Sequence, residues 1–468
     1  MTARLLALHG LALGVLACAL PAHAGDLPAH ARTLAAAPTP SVQESGVEGL
    51  LAEATQTTDP LPQTEPIIQR TSLDAEIRVR GSLPKNLSEL QAGEDAARRA
   101  IFHRERLGAR FAEGPLDAHV QLQASGAFGE ADPGAAQLQL PTVGLQQAVL
   151  HLHSQDHAWV QASLGRMILD YGSGRMIGAY DFHQTGNAFD GLQLQFTYQK
   201  YLQADVLAVK LRRNSTQTDQ DRNLFGAYIV GHPLEQLVAD LYFLYLIDGI
   251  PTGHAYLMTM GTRLDWQPAP WLHAEAEGAL QAGDEDKQDQ TTGPGRDRKS
   301  HVATAFFAQV TGIAQAGKGK VSFGPFSQLY SGEPIQPGNA PTSTAWRPLY
   351  PSLDQVVGLL QLFRQTNLMQ HGARLTWNPT PDWTIGVDVR ASFSHDNAPL
   401  PGFNGQTLSG QGGWRWLGTE TDVRIDWQVL RSSQVLLAAG FFSTSGATED
   451  RIGQSLASQI LLQWTSRF

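Results

Sequence analysis

The chain has 468 residues, 42% of them hydrophobic and 17% charged, with a formal net charge of -10. The acidic balance argues against nucleic acid as a partner. Beyond the N-terminus there is no apolar run of roughly 20 residues, which excludes a bundle of membrane-crossing helices.

In chain order, Arg4 precedes the apolar stretch Leu5 to Leu20 and then Ala22-His23-Ala24. Positive charge, short apolar core and small-x-small site make residues 1–24 an expected secretory signal, cleaved near Gly25. An acylated start at Cys18 is disfavoured because Leu16 fits that cleavage site poorly. Cys18 is the only cysteine, so the mature chain is expected to hold no disulfide or thiolate metal site. Loss of Arg4 moves the net charge from -10 to -11. Residues 25–73 are rich in Ala, Pro, Thr and Gln without a sustained period. They predict a flexible periplasmic leader, with a short helix around Val47 to Ala54.

From Ala75 the period becomes 2. Glu76, Arg78 and Arg80 alternate with Ile77 and Val79, and Glu420, Asp422, Arg424 and Asp426 alternate with Thr421, Val423, Ile425 and Trp427. Repetition of such segments predicts about 18 strands, near 75–82, 99–111, 116–128, 143–154, 157–166, 188–198, 202–212, 223–231, 237–247, 255–266, 271–282, 300–314, 318–326, 367–377, 383–394, 415–428, 432–443 and 456–468. A soluble sandwich could alternate in the same way. The connections argue otherwise: short turns such as Glu113-Gly114-Pro115 and Gln155-Asp156 alternate with long polar segments such as 129–142, 283–299, 327–366 and 395–414. Only the connection from Ile247 to Gly253 is weakly long. Short periplasmic turns in phase with long external loops predict an all-β, transmembrane antiparallel barrel over 74–468, with both termini periplasmic.

Trp266 and Trp271 bracket one short turn, and Trp377 and Trp383 another, as in an interfacial girdle. On the last strand Phe468, Trp464, Leu462 and Ile460 share one face, while Gln459, Gln463, Thr465 and Arg467 share the other; Ser466 is a weak spot on the apolar face. Such a strand with a terminal aromatic is the pattern read by outer-membrane assembly machinery, so Trp464 and Phe468 are expected to serve membrane assembly. The expected location is the bacterial outer membrane, with its lipid as a partner.

Leu164-Gly165-Arg166, Tyr171-Gly172, Arg175-Met176-Ile177-Gly178 and Phe189-Asp190-Gly191, with Leu417-Gly418-Thr419-Glu420-Thr421-Asp422 later, form a motif set. It resembles that of the outer-membrane channels of the alginate export family, over most of the mature chain. The resemblance implies an 18-stranded monomeric barrel that passes a polar solute or polysaccharide. The chain departs from the family at Met167, where Gln is favoured, and at Phe182, near an expected Trp.

With the apolar face outward, Arg78, Arg80, Arg104, Arg106, Arg110 and Arg467 project inward and favour an anionic solute or oligosaccharide. Asp265, Glu275 and Glu277 lie across the barrel. A mixed patch of Asp388 and Arg390 with Glu420, Asp422, Arg424 and Asp426 lies nearer the arginines, and Arg374 is a further lumen candidate. Salt bridges that merely brace the wall are the plain alternative. Either long loop, 327–366 or 167–187, could fold inward or lie at the surface, the second with Arg166 and Arg175 as anchors to lumen carboxylates. There is no Gly-x-Ser-x-Gly elbow. His119, His151 and His153 could bind a divalent ion, but polar lining is the simpler account. No cofactor, metal or enzymatic activity is expected. A passive channel is the expected function; a non-selective porin or a structural or adhesive barrel is the alternative, and an outer-membrane hydrolase a more distant one.

Overall fold

The computed structural model describes residues 71–87, 100–128, 142–154, 159–211, 222–250, 253–288, 296–333, 342–394, 415–446 and 455–468. The expected signal segment, the Val47–Ala54 helix and the leader as far as residue 70 lie outside the described residues.

The strands are β1 (Thr71–Lys85), β2 (Ile101–Glu113), β3 (Leu116–Phe128), β4 (Thr142–His153), β5 (Val160–Met167), β6 (Phe189–Tyr198), β7 (Leu202–Leu211), β8 (Arg222–Leu234) and β9 (Leu237–Ile250). They continue with β10 (Gly253–Ala269), β11 (Leu272–Gln288), β12 (Arg296–Ala316), β13 (Gly319–Tyr330) and β14 (Thr342–Ser343), the last a two-residue piece lying parallel to β12. After the single-turn helix α1 (Leu353–Val356) come β15 (Leu368–Asn378), β16 (Trp383–Ser394), β17 (Arg415–Leu430), β18 (Ser433–Thr444) and β19 (Leu456–Arg467). Apart from β14 these make the expected 18-stranded antiparallel barrel. β19 closes on β1, with Trp464 opposite Val79 and Arg467 opposite Glu76. Closure removes the open edges that lipid could not satisfy.

The strands outrun their expected limits. β1 starts at Thr71, within the expected leader, and β11 and β12 leave only residues 289–295 between them. After the ninth strand, expected to be followed by a weakly long connection, β9 and β10 stay paired as far as Ile250 and Gly253, which leaves only residues 251–252 between them. Hydrophobic alternation marks only the part of a strand that meets an apolar environment. The ladder is made of backbone bonds and runs on through polar residues.

Outward positions carry Ile77, Leu107, Leu241, Phe243, Met260, Leu280 and Leu462, all exposed. Trp266, Trp271, Trp377, Trp427 and Trp464 are exposed near the short turns, and Trp383 stacks on Trp427 at 5.0 Å. Ser466, the misfit on the apolar face, is buried and its hydroxyl pairs with that of Ser433 at 2.6 Å. Phe468 is exposed at the same rim and exchanges backbone bonds with Ala75.

The interior is not uniformly polar. Leu207, Val209, Leu224, Leu244, Leu246 and Leu257 point inward and are buried with Leu169, Ile177, Trp346, Tyr350, Val357 and Phe363 from two connections. Residues 168–188 and 344–367 therefore form a packed plug. Apolar residues on both faces of β9 (Leu-Val-Ala-Asp-Leu-Tyr-Phe-Leu-Tyr-Leu-Ile) follow from this, since one face meets the outside and the other meets the plug.

Candidate functional site

The two plug segments are joined to each other. Ile177 and Tyr350 form a parallel bridge, flanked by Gly178 N–H to Tyr350 O at 2.8 Å, Tyr350 N–H to Met176 O at 2.9 Å and Ser352 N–H to Gly174 O at 2.9 Å. Tyr180 donates its hydroxyl to Gln361 Oε1. Gly178 lies so close to Ser352 that a Cβ would meet its Oγ at 2.3 Å. Both candidate loops thus turn inward, as one unit.

The family-motif residues sit at the root of the first segment. Arg166 makes a bidentate pair with Asp190 at 2.6 Å and bonds Leu145 O at 2.9 Å, tying β5 to β6 and β4. Gly165 has φ +121°, and a Cβ there would stand 2.1 Å from the Ala148 carbonyl oxygen. Only glycine tolerates both the conformation and the approach. Gly172 passes over Tyr228 and Asp240, and Gly418 lies against Ser443 and Phe442.

The second anchor is a set of tyrosines and charges on β7 to β11. Tyr171 donates to Asp205 at 2.7 Å and stacks on Tyr228, which donates to Asp240 and stacks on Tyr242; Tyr242 donates to Glu277 at 3.0 Å. Arg175 reaches Glu275 at 2.9 Å and Glu277 at 3.4 Å and covers the Phe307 ring at 3.3 Å. Arg263 pairs with Glu275, Asp240 and Asp265. The expected acidic stripe of Asp265, Glu275 and Glu277 is therefore compensated by a wall arginine and a plug arginine.

The arginines of β1 and β2 grip the tip of the first segment. Arg78 donates to Asp181 O at 2.6 Å, His183 O at 2.9 Å and Gln184 Oε1 at 2.6 Å, and Arg80 to Phe182 O at 2.8 Å and to Gln463. Arg104 binds Glu76 and the Asp181 carboxylate, the latter at 3.0 Å, and Arg106 reaches the same carboxylate at 2.7 Å. Burial pushes the Asp181 carboxyl up, but Arg104, Arg106 and Arg78 outweigh it and hold it far below the usual carboxylate range. Burial, with Arg78, Arg80 and Arg104, pushes His183 down to about 4. Arg467 pairs with Glu76 at 2.9 Å, and Arg110 stands apart, facing Asp117 at 3.5 Å. The cluster is a socket for the loop tip rather than a bare cationic stripe. Alternation placed these side chains inward; it gave no sign of Asp181, their main counter-ion.

The mixed patch holds the second segment. Leu359 N–H donates to Asp422 at 3.0 Å and Leu360 N–H to Glu420 at 3.0 Å. Gly358, at φ +119°, lies so close to Glu420 that a Cβ would meet its carboxylate at 2.5 Å. Arg390 spans Asp388 and Asp422, and Arg374 pairs with Asp388 at 2.8 Å. Leu359 packs among inward-facing Leu436, Ala438 and Leu461, with Phe182 beside them.

Between these two attachments a cavity of about 190 Å³ remains along β17, β18, β19 and β1, lined by Arg78, Phe182, Asp354, Arg424, Asp426 and Gln463 among others. The Phe182 ring lies between Arg80 at 4.0 Å and Arg424 at 5.9 Å. Asp354 and Phe182 were missed by sequence reading as site residues, because neither loop has a period to say which side chain turns inward. His119 and His151 lie elsewhere, bonded to Asp74 at 3.0 Å and Ser163 at 2.8 Å.

A family model described as alginate export matches residues 142–458. No curated protein matches the chain. Among solved structures, three outer-membrane proteins of Pseudomonas aeruginosa are similar in fold. OccK1 (OpdK) is 14% identical with a TM-score of 0.55, over 86% of this chain and 99% of that one. OprD is 10% identical with a TM-score of 0.53, over 87% and 97%. OccK5 (OpdH) is 12% identical with a TM-score of 0.52, over 86% and 100%. Family and fold are those of passive outer-membrane channels. With its 18-stranded barrel and its inward-folded motif loop, the chain belongs to the alginate export family of porin-like outer-membrane β-barrels.

Proposed function

We propose that the chain is a passive channel for a polar, anionic solute or oligosaccharide, which moves through the cavity beside β17 to β1 past Arg78 and Arg424. A uronate polymer such as alginate fits the family's name and this charge. The direction of flow would follow the gradient or periplasmic partners, with both chain termini on the periplasmic side. The single observation behind the reading is Arg424. Within the described residues its guanidinium makes no hydrogen bond or ion pair, and it lines the cavity over Phe182. A planar guanidinium left with free donors suits carboxylate recognition. Arg104 and Arg106, by contrast, are occupied by Glu76 and Asp181.

The test is the reversal potential of purified protein in planar bilayers. Anion selectivity that falls in Arg424→Gln, with conductance kept, supports the reading; a cation-selective wild type overturns it. The apolar packing of the plug favours a second reading, a barrel closed at rest that serves as structure or display. A non-conducting wild type would favour that reading. The monomeric state, outer-membrane lipid as partner and assembly through the last strand are part of the same proposal.

A further inference from the structure

Asp354 lies on α1, at the inner part of the second plug segment, and its carboxyl lines the same cavity as Arg424. Its Oδ1 is buried and has no hydrogen-bond partner among the described residues. That is an unusual position for a carboxylate. The plug's other acids have partners: Asp181 has Arg104 and Arg106, and Asp170 accepts from Ala179 N–H at 3.2 Å. On the wall, Asp426 accepts from Gln434 at 3.2 Å. Among the described residues that line this cavity, only Asp354 has a buried oxygen without a hydrogen-bond partner.

Several charged groups act on it from the elements packed around it. Arg424, with Asp426 beside it, comes from β17, and Arg80 and Arg78 come from β1. Asp181 and Tyr180 come from the first plug segment; Asp181 repels the carboxylate, and Tyr180 feels its charge. Arg80 spends its donors on Gln463 and Phe182 O, so Arg424 is the cation left to balance Asp354. β18 and β19 contribute the neutral Gln434, Gln463 and Thr465.

We propose that Asp354 is a specificity-determining residue of the channel: ionised, it offsets Arg424 in the constriction, and protonated, it leaves the passage to the guanidiniums and favours anions. The proposal rests on the channel reading above and adds to it a charge carried by the plug rather than by the wall. Burial pushes the Asp354 carboxyl up to about 6, against the pull of Arg424 and Arg80. The change therefore falls in a range that the water outside a bacterium can reach. His183, held near 4, and Asp181, held lower still, do not titrate with it.

The experiment is the reversal potential in a potassium chloride gradient, using the full protein in planar bilayers at about pH 7.5 and about pH 5. Wild type, Asp354→Asn and Asp354→Glu are compared. The wild-type chloride-to-potassium permeability ratio is expected to rise roughly threefold on acidification, the scale of one unit charge acting through water at these distances. Asp354→Asn is expected to show the acid-side ratio at both pH values, and Asp354→Glu to keep a pH-dependent ratio. A wild-type ratio that does not move with pH overturns the proposal, and this holds even if the Asn variant fails to insert. An Asn variant that keeps the wild-type pH response overturns it too. In either case an anion-selective barrel leaves the channel reading standing, whereas a cation-selective or non-conducting wild type removes both.

Discussion

The Arg104 side chain is fully buried, and its guanidinium is spent on Glu76, the Asp181 carboxylate and two loop carbonyls; Arg424, half-buried, keeps its donors free within the described residues. Two residues of one type, both placed inward by the same alternation, thus do different work. Taking a charge out of water is costly, and a buried guanidinium stays charged only where fixed acceptors repay it. Asp181 supplies that repayment for Arg104 and Arg106. Its folded-state carboxyl is held low, so its stabilising contribution is complete above the unfolded carboxylate range, near pH 4. It is lost only as pH falls through the lower folded value. The loop tip therefore stays anchored while Asp354 titrates. Asp181→Asn should loosen residues 168–188, by about 1 kcal/mol once its 44% exposure is discounted. The expected signs are flickering single-channel current and faster protease cleavage of that segment, with barrel heat stability unchanged. Quiet current and wild-type cleavage would mean that the loop carbonyls gripped by Arg78 and Arg80 suffice to hold it.

At the scale of elements, the second plug segment is held by packing more than by charge. Trp346 is 1% exposed, donates its backbone N–H to Ser331 O at 2.9 Å and lies beside Tyr330. Trp346→Ala should cost about 3–5 kcal/mol of local packing, more than one backbone bridge to the first segment can restore. We expect the 344–367 segment to leave the lumen and conductance to rise several-fold, while the heat-dependent gel mobility of the barrel is kept. An unchanged conductance would place the narrowest point elsewhere. The strands of the wall were legible in advance because lipid outside and polar groups inside impose a period of 2. The plug was not: its residues obey no period, and whether a loop turns inward depends on partners far away in sequence, such as Asp205 for Tyr171 and Glu420 for Leu360. One trace was visible. In β9 the inward positions Tyr242, Leu244 and Leu246 are apolar or aromatic, which a water-filled lumen would not favour. The long sequence range 327–366 and the glycines of 167–187 marked the right segments without choosing between lumen and surface.

Among the described residues, the barrel separates an apolar exterior from an interior that holds a packed plug and, beside it, a polar cavity. The exterior can be tested by depth. Met260 on β10 faces outward in register with Phe243 of β9 and Leu280 of β11, and all three are exposed. Trp266 lies six residues further along the same strand, at the rim of the short turns. On a strand tilted by about 40°, six residues descend roughly 15 Å, which is half the thickness of a hydrocarbon core. The Met260 row should then lie near the bilayer midplane and Trp266 at its edge. Met260→Arg replaces an apolar side chain with a longer, charged one where no water is expected. It should lower the unfolding free energy in lipid vesicles by about 2–4 kcal/mol, whereas an arginine at the Trp266 rim should cost only about 0–1 kcal/mol for its charge. Denaturant midpoints of both variants in vesicles measure the difference. Equal losses at the two depths would mean that the outward belt is not graded by a bilayer, and would count against lipid as its environment. A loss confined to Met260→Arg would fix the height of the barrel in the membrane, and with it the depth of the cavity lined by Arg424 and Asp354.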